Sequence, residues 1–140
     1  MKRICVIDGQ GGGIGSAVIK KLKEVFEERV EIIALGTNAI ATAQMLKAKA
    51  NRGASGENAI VQTVKKVDII IGPVGTIMAN AMMGEVTLKI AEAVAGSPAR
   101  KLLIPLSQEN LEIVGFTSMP LPHLIEALVQ ENLKEIFSDF

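Results

Sequence analysis

Short apolar runs alternate along the chain with longer stretches in which apolar residues recur every three or four positions. The apolar runs predict buried strands at about 3–7, 30–35, 67–71 and 101–106. The longer stretches predict helices from 13–16 to about 28, and at 39–48, 57–66, 76–95 and 123–137. Because strands and helices alternate and the strands are apolar on both faces, we predict an α/β fold with a mainly parallel sheet covered on both sides.

Two further strands are expected at the margins of this sheet. The polar stretch 51–56 has room for a short edge strand. Leu111–Phe116 follows the preceding strand after only four residues, Ser107 to Asn110, which is enough for a hairpin but not for a crossover. We therefore predict an antiparallel edge strand near the C-terminus, in a single three-layer domain over residues 1–140.

The first strand leads into a segment with five glycines in seven residues, and a helical pattern follows directly. The segment reads Asp8-Gly9-Gln10-Gly11-Gly12-Gly13-Ile14-Gly15. Glycine loses more chain entropy on folding than any other residue, so a plain connection would not favour so many. A strand, a glycine-rich turn and a helix together present backbone N–H groups to a phosphate. We predict a nucleotide or another phosphorylated ligand here; the alternatives are a tight structural turn and a backbone contact with a partner protein.

Composition narrows the classes of partner. The 15 basic and 15 acidic residues cancel, without a basic stripe, so nucleic acid is not an expected partner. The most apolar stretch, 67–83, is interrupted by Asp68, Gly72, Pro73 and Gly75, so no membrane span is expected. The N-terminus lacks the pattern of a signal peptide, and the lone Cys5 lies inside a predicted strand as a buried thiol. We therefore expect a cytoplasmic protein.

The glycine segment resembles the cofactor-binding turn of short-chain dehydrogenases. The shared spacing is G-x-x-x-G-I-G, through Gly9, Gly13, Ile14 and Gly15. Residues 67–75 resemble that family's fourth strand and its following turn, and Ser107 falls where the family often has its catalytic serine. The family's catalytic Tyr-x-x-x-Lys requires a tyrosine, and this sequence contains none. The resemblance thus implies a Rossmann-like nucleotide-binding half without that hydride-transfer mechanism.

A second resemblance covers nearly the whole chain. A family of short bacterial proteins of unknown function opens with Asp-Gly-Gln-Gly-Gly-Gly-Ile-Gly, as this chain does at residues 8–15. Its members continue with segments similar to residues 34–42 and 53–60. This resemblance implies a bacterial source and no particular activity.

The predicted ligand site lies where the first strand and the 67–71 strand meet, because ligands of doubly wound sheets bind outside the carboxyl ends of strands at the switch point. Its expected lining comes from four loops: Asp8, Gly9, Gln10, Gly11, Gly12, Gly13, Ile14 and Gly15, then Thr37 and Asn38, then Gly72, Pro73, Val74 and Gly75, and finally Ser107.

No carboxylate follows the second strand, and this absence argues against NAD and for an NADP-like ligand or a mononucleotide. Thr37 and Asn38 are candidate donors to a ribose or a 2′-phosphate; alternatively, one of the two caps the second helix. Arg52 is a further candidate partner of the 2′-phosphate, with a solvated loop residue as the alternative. Asp8 would accept from a ligand hydroxyl or hold Mg²⁺ beside a phosphate. Its alternative role is to accept backbone N–H groups of its own turn.

These observations favour a small nucleotide-binding module with a regulatory or sensing role, expected to form a homodimer. One alternative is an enzyme whose site is completed by a symmetry mate and acts on a phosphorylated or nucleotide substrate. Its polar candidates are Asn80, Ser107 and Asn110. The other is an assembly module with a structural glycine turn. His123 is a candidate base, with an ordinary helix-start residue as the alternative. No metal-ligand cluster is predicted.

Overall fold

The computed structural model describes residues 1–106 and 110–139, and its centre is a five-stranded sheet. Every neighbouring pair of strands is parallel. The strands lie in the order β3-β2-β1-β4-β5, the order typical of doubly wound sheets. Their bounds are β1 Lys2–Asp8, β2 Val30–Gly36, β3 Arg52–Ser55, β4 Ile69–Pro73 and β5 Arg100–Ile104. The predicted α/β class, the adjacency of β1 and β4 and the short edge strand β3 are confirmed.

Helices cover both faces of this sheet. Their bounds are α1 Gly13–Phe26, α2 Ala39–Lys47, α3 Glu57–Thr63, α4 Leu88–Ala95, α5 Leu121–Ala127 and α6 Lys134–Ile136. A π-helical segment, Leu128–Leu133, joins α5 to α6, and 3-10 turns lie at Glu27–Arg29, Val74–Ile77 and Phe137–Asp139. Within the described ranges, none of these helices has the length and apolar character needed to cross a bilayer.

Two hydrophobic cores lie on opposite faces because successive strand residues point to opposite sides of the sheet. In β1, Ile4 and Val6 face the core shared with α1, α2 and α5, whereas Cys5 and Ile7 face the core shared with α3 and α4. All four side chains are fully buried. The two cores hold the sheet rigidly between helical layers and fix the loops at the carboxyl ends of the strands.

The single long helix predicted from Thr76 to about Ala95 is wrong. A 3-10 turn occupies Val74–Ile77, and α4 begins only at Leu88, where the hydroxyl of Thr87 accepts from the N–H of Ile90. Between these elements the backbone at Asn80, Met82, Met83 and Gly84 has positive φ angles. A right-handed helix requires negative φ, so these four residues interrupt it.

The antiparallel strand predicted at Leu111–Phe116 is also wrong, and β5 is the edge of the sheet. Residues 110–120 contain a turn at 114–115 and no strand. Gly115 has a φ of 85°, which breaks an extended run, and only the half-buried Phe116 of this stretch packs against a core. The last helix begins at Leu121 rather than at His123, with Pro122 in its first turn as expected.

Candidate functional site

The glycine loop, defined as residues 8–15, contains two kinds of glycine. Gly9, Gly12 and Gly15 are buried, and a Cβ at each would overlap a neighbour. It would lie 2.5 Å from Thr37 Oγ1 at Gly9, 2.8 Å from the Ala41 carbonyl at Gly12, and 2.5 Å from Met45 Sδ at Gly15. These three glycines let the loop and α1 approach β2 and α2 closely, so the fold itself explains them.

Gly11 and Gly13 differ from the other three in having no such explanation. Both are exposed, and a Cβ at either would meet no atom within 4 Å. Neither has a left-handed φ. Throughout residues 1–106 and 110–139, no acceptor is found for the N–H of Gly11 or of Gly13. The loop therefore exposes two backbone donors at the N-terminus of α1, the end of a helix that attracts anions.

Asp8 holds the glycine loop in shape. The N–H of Gly9 donates to its Oδ1 (2.8 Å), and the N–H of Gly15 donates to its Oδ2 (2.7 Å). Burial raises the pKa of the Asp8 carboxyl, although the N–H groups of Gly15, Gly9 and Ile14 act in the opposite direction. Because both oxygens accept from its own turn, the structural role considered for Asp8 is confirmed.

Glu85 is the functional candidate that the sequence pattern missed. Its Oε1 accepts from the N–H of Gln10 (2.8 Å), the hydroxyl of Thr37 (2.6 Å) and the side-chain amide of Asn38 (2.9 Å). Desolvation alone would raise the pKa of this carboxyl, but the three donors outweigh it and leave the pKa below its ordinary value. We call these donors, from Gln10, Thr37 and Asn38, the acceptor corner.

Glu85 belongs to residues 78–87, here called the covering segment, which lies over the predicted crevice. A Cβ at Gly9 would lie 2.6 Å from Met82 Sδ and 2.9 Å from Glu85 Oε1. On the other wall, Gly75 lies under Ala81 and Met82. Gly72, Pro73, Val74 and Gly75 are all buried. The crevice expected at the switch point is thus filled in this conformation by the chain itself.

The helix-capping alternative is confirmed for one of the two candidates after β2. Asn38 Oδ1 accepts from the N–H of Ala41 at the start of α2 (2.8 Å). Thr37 instead donates to Glu85. Arg52 is exposed on β3, and its guanidinium donates to Glu31 Oε1 at 2.7 Å. Arg52 is therefore engaged by a carboxylate on the neighbouring strand.

The remaining candidates do not converge on one place. Ser107 lies outside the described residues. Asn80 is exposed within the covering segment, with its N–H donating to the Val86 carbonyl (2.7 Å). Asn110 is exposed beyond β5, and His123 is exposed in the first turn of α5. In the part of the chain that the structure describes, no three His, Cys, Asp or Glu side chains group as metal ligands.

Cys5 is a fully buried thiol, as predicted, and burial raises its pKa to about 12. Since the thiolate is the reactive form, we expect no labelling by Ellman's reagent at pH 8 in the native state. Labelling is expected to be complete after unfolding in guanidinium chloride. Stoichiometric labelling of the native protein at a rate independent of denaturant would contradict this burial.

The fold and the glycine loop together define a doubly wound α/β domain with a glycine-rich connection between β1 and α1. The family model described as a domain of unknown function, DUF3842, matches residues 3–137. The chain belongs to this family. No curated protein matches the chain.

Proposed function

We propose that this domain binds a small phosphorylated molecule of the nucleotide class through the N-terminal turn of α1. The observation that carries the proposal is the pair Gly11 and Gly13, whose exposed N–H groups lack acceptors within the described residues. No packing contact requires a glycine at either position. A phosphate oxygen is the acceptor that such donors at a helix N-terminus favour.

The chemistry around the loop favours binding over catalysis, and we propose a regulatory or sensing role. Asp8 is buried and uses both oxygens within its own turn. The thiol of Cys5 is buried, with its pKa raised to about 12. A general base or a nucleophile must reach the reacting atoms, and neither of these groups reaches the surface.

Charge near Thr37 separates the two ligand hypotheses, an NADP-like molecule and a mononucleotide. A 2′-phosphate beside the acceptor corner would meet the carboxylate of Glu85, and Arg52 is already paired with Glu31. Like charges at close range repel each other strongly when water is excluded. While Glu85 occupies the corner, a nucleotide without a 2′-phosphate is therefore favoured over an NADP-like molecule.

A thermal-shift panel tests the proposal with NADP, NAD, FAD, ATP, AMP, GTP and inorganic phosphate, each with and without Mg²⁺. A ligand present at about 100 times its Kd adds about 2.7 kcal/mol to the free energy of unfolding, which is readily measured. We expect stabilisation by at least one nucleotide.

A matched pair of variants at Gly13 locates the binding. Gly13→Asp adds an acidic residue in the first turn of α1, which favours the helix but repels a phosphate. Gly13→Asn adds a neutral side chain of the same shape. We expect Gly13→Asp to abolish the ligand shift, Gly13→Asn to weaken it, and the distant exposed variant Gln62→Ala to keep it. A folded wild-type protein that no phosphorylated compound stabilises would refute the proposed function.

A further inference from the structure

The acceptor corner is occupied by a carboxylate from the protein itself. Its three donors, the N–H of Gln10, the hydroxyl of Thr37 and the amide of Asn38, all point to the single atom Oε1 of Glu85. Gln10 directly precedes Gly11, so the corner adjoins the exposed donors of the glycine loop. An oxygen that bears negative charge is the acceptor such a set binds most strongly.

The covering segment that carries Glu85 is held in a strained conformation. Asn80, Met82 and Met83 have φ angles of 71°, 57° and 57°. A left-handed conformation is unfavourable for the two methionines, whereas asparagine adopts it more readily. Met83 is 95% exposed, whereas Ala81 and Val86 anchor the segment in the core. Backbone hydrogen bonds within the segment, such as the one from the Asn80 N–H to the Val86 carbonyl (2.7 Å), hold this conformation together with the three bonds that Glu85 accepts from the acceptor corner.

We propose that the covering segment is a displaceable latch, and that Glu85 occupies a subsite which a second anionic group of the bound ligand takes over. This inference rests on the proposed function and narrows the ligand class to molecules with two adjacent anionic groups, such as a diphosphate. One phosphate binds the N–H groups of Gly11 and Gly13. The next phosphate binds the acceptor corner, and Glu85 leaves with its segment.

Glu85 acts in this scheme as an internal competitor. A ligand that needs the corner binds only the fraction of molecules in which the latch is open, and its apparent Kd rises accordingly. Removing the carboxylate raises that fraction. A ligand that needs only Gly11 and Gly13 gains much less from the same change.

The experiment compares the affinities of inorganic phosphate and pyrophosphate for wild type, Glu85→Gln and Glu85→Ala, measured by titration calorimetry. Glu92→Ala is the matched control, because Glu92 is exposed on α4 and its removal changes the net charge equally. We expect pyrophosphate to bind Glu85→Ala about tenfold more tightly than wild type or more. Phosphate affinity should change less than threefold, and Glu92→Ala should match wild type.

Amide hydrogen exchange tests the latch without any ligand. In Glu85→Ala, exchange at Asn80, Gly84 and Val86 should accelerate at least tenfold, while Val18 and Ile19 inside α1 keep their wild-type rates. Unchanged exchange in the covering segment would overturn the latch. Glu85→Gln, which keeps an acceptor oxygen, should lie between wild type and Glu85→Ala in both measurements.

The calorimetric outcomes separate the two proposals. Phosphate binding that Gly13→Asp abolishes, with pyrophosphate binding no tighter in the Glu85 variants, overturns the Glu85 subsite and leaves the proposed function standing. No binding of either anion by any variant overturns the proposed function and the subsite with it.

Discussion

Gly12→Ala is expected to destabilise the domain by about 4 kcal/mol. Gly12 has a φ of 74°, and a Cβ there would lie 2.8 Å from the carbonyl oxygen of Ala41 and 2.9 Å from its Cα. Because the overlapping atoms belong to the backbone of α2, no change of side-chain rotamer can relieve the overlap. Thermal unfolding should show a decrease in Tm on the order of 10 °C.

Gly13→Ala, one residue further, is the matched control. The new methyl group meets no atom within 4 Å, and Gly13 is the first residue of α1. Alanine restricts the unfolded chain and favours the helix, so stability should stay the same or rise by up to about 1 kcal/mol. Equal stabilities of Gly12→Ala and Gly13→Ala would show that α2 does not pack on the loop as described.

Asp8→Ala is expected to destabilise the domain by about 3 kcal/mol. It leaves the buried N–H groups of Gly9 and Gly15 without the acceptors they now have at 2.8 Å and 2.7 Å. An unsatisfied buried donor loses its solvation without compensation. Denaturant unfolding followed by circular dichroism measures the change.

Two further variants separate the role of Asp8 from a general effect of charge. Asp8→Asn keeps one acceptor oxygen and should be destabilised less than Asp8→Ala. Asp68→Ala removes an exposed carboxylate with one backbone bond, from the N–H of Arg3, and should change stability by less than about 1 kcal/mol. Similar losses for Asp8→Ala and Asp68→Ala would contradict the turn-holding role of Asp8.

The layout of the sheet was predictable because burial leaves a simple signal in the sequence. Buried parallel strands such as Ile69–Pro73 are continuous apolar runs. In the helices between them, apolar residues recur every three or four positions. The short β3 lies in the polar stretch 51–56, where the sequence has room for an edge strand. The two core faces then follow from the alternation of side chains along β1.

The two wrong predictions concern segments whose backbone conformation cannot be inferred from the spacing of hydrophobic residues. Residues 76–95 contain apolar side chains at helical spacing, yet left-handed backbone at Asn80, Met82 and Met83 separates the 3-10 turn from α4. Thr87 followed by Ile90 and Val94 was the one local sign of a later helix start. Residues 111–116 have a composition typical of a strand, but the turn at Gly115 interrupts the extended conformation.

Only part of the candidate site was predictable from the sequence, because local motifs are visible in it and contacts between distant segments are not. The sequence places the glycine loop between β1 and α1, and it offers acceptance of N–H groups from its own turn as one role of Asp8 and helix capping as one role of Asn38. It did not separate Gly11 and Gly13 from their buried neighbours, because that distinction depends on what Ala41 and Met45 contact in space. Glu85 was missed since it reaches Gln10 across 75 residues of chain.

The most direct test of the account is an amide NMR titration of the ¹⁵N-labelled protein with pyrophosphate. We predict that the largest chemical-shift changes occur at Gly11 and Gly13, with changes at Gln10 as Glu85 leaves, and that Gly13→Asp removes them. An open groove of about 680 Å³ between α3 and α4, lined by Lys65 and Lys89 among others, provides the contrasting location. Shifts confined to that groove, or none at the glycine loop at saturating pyrophosphate, would contradict the account.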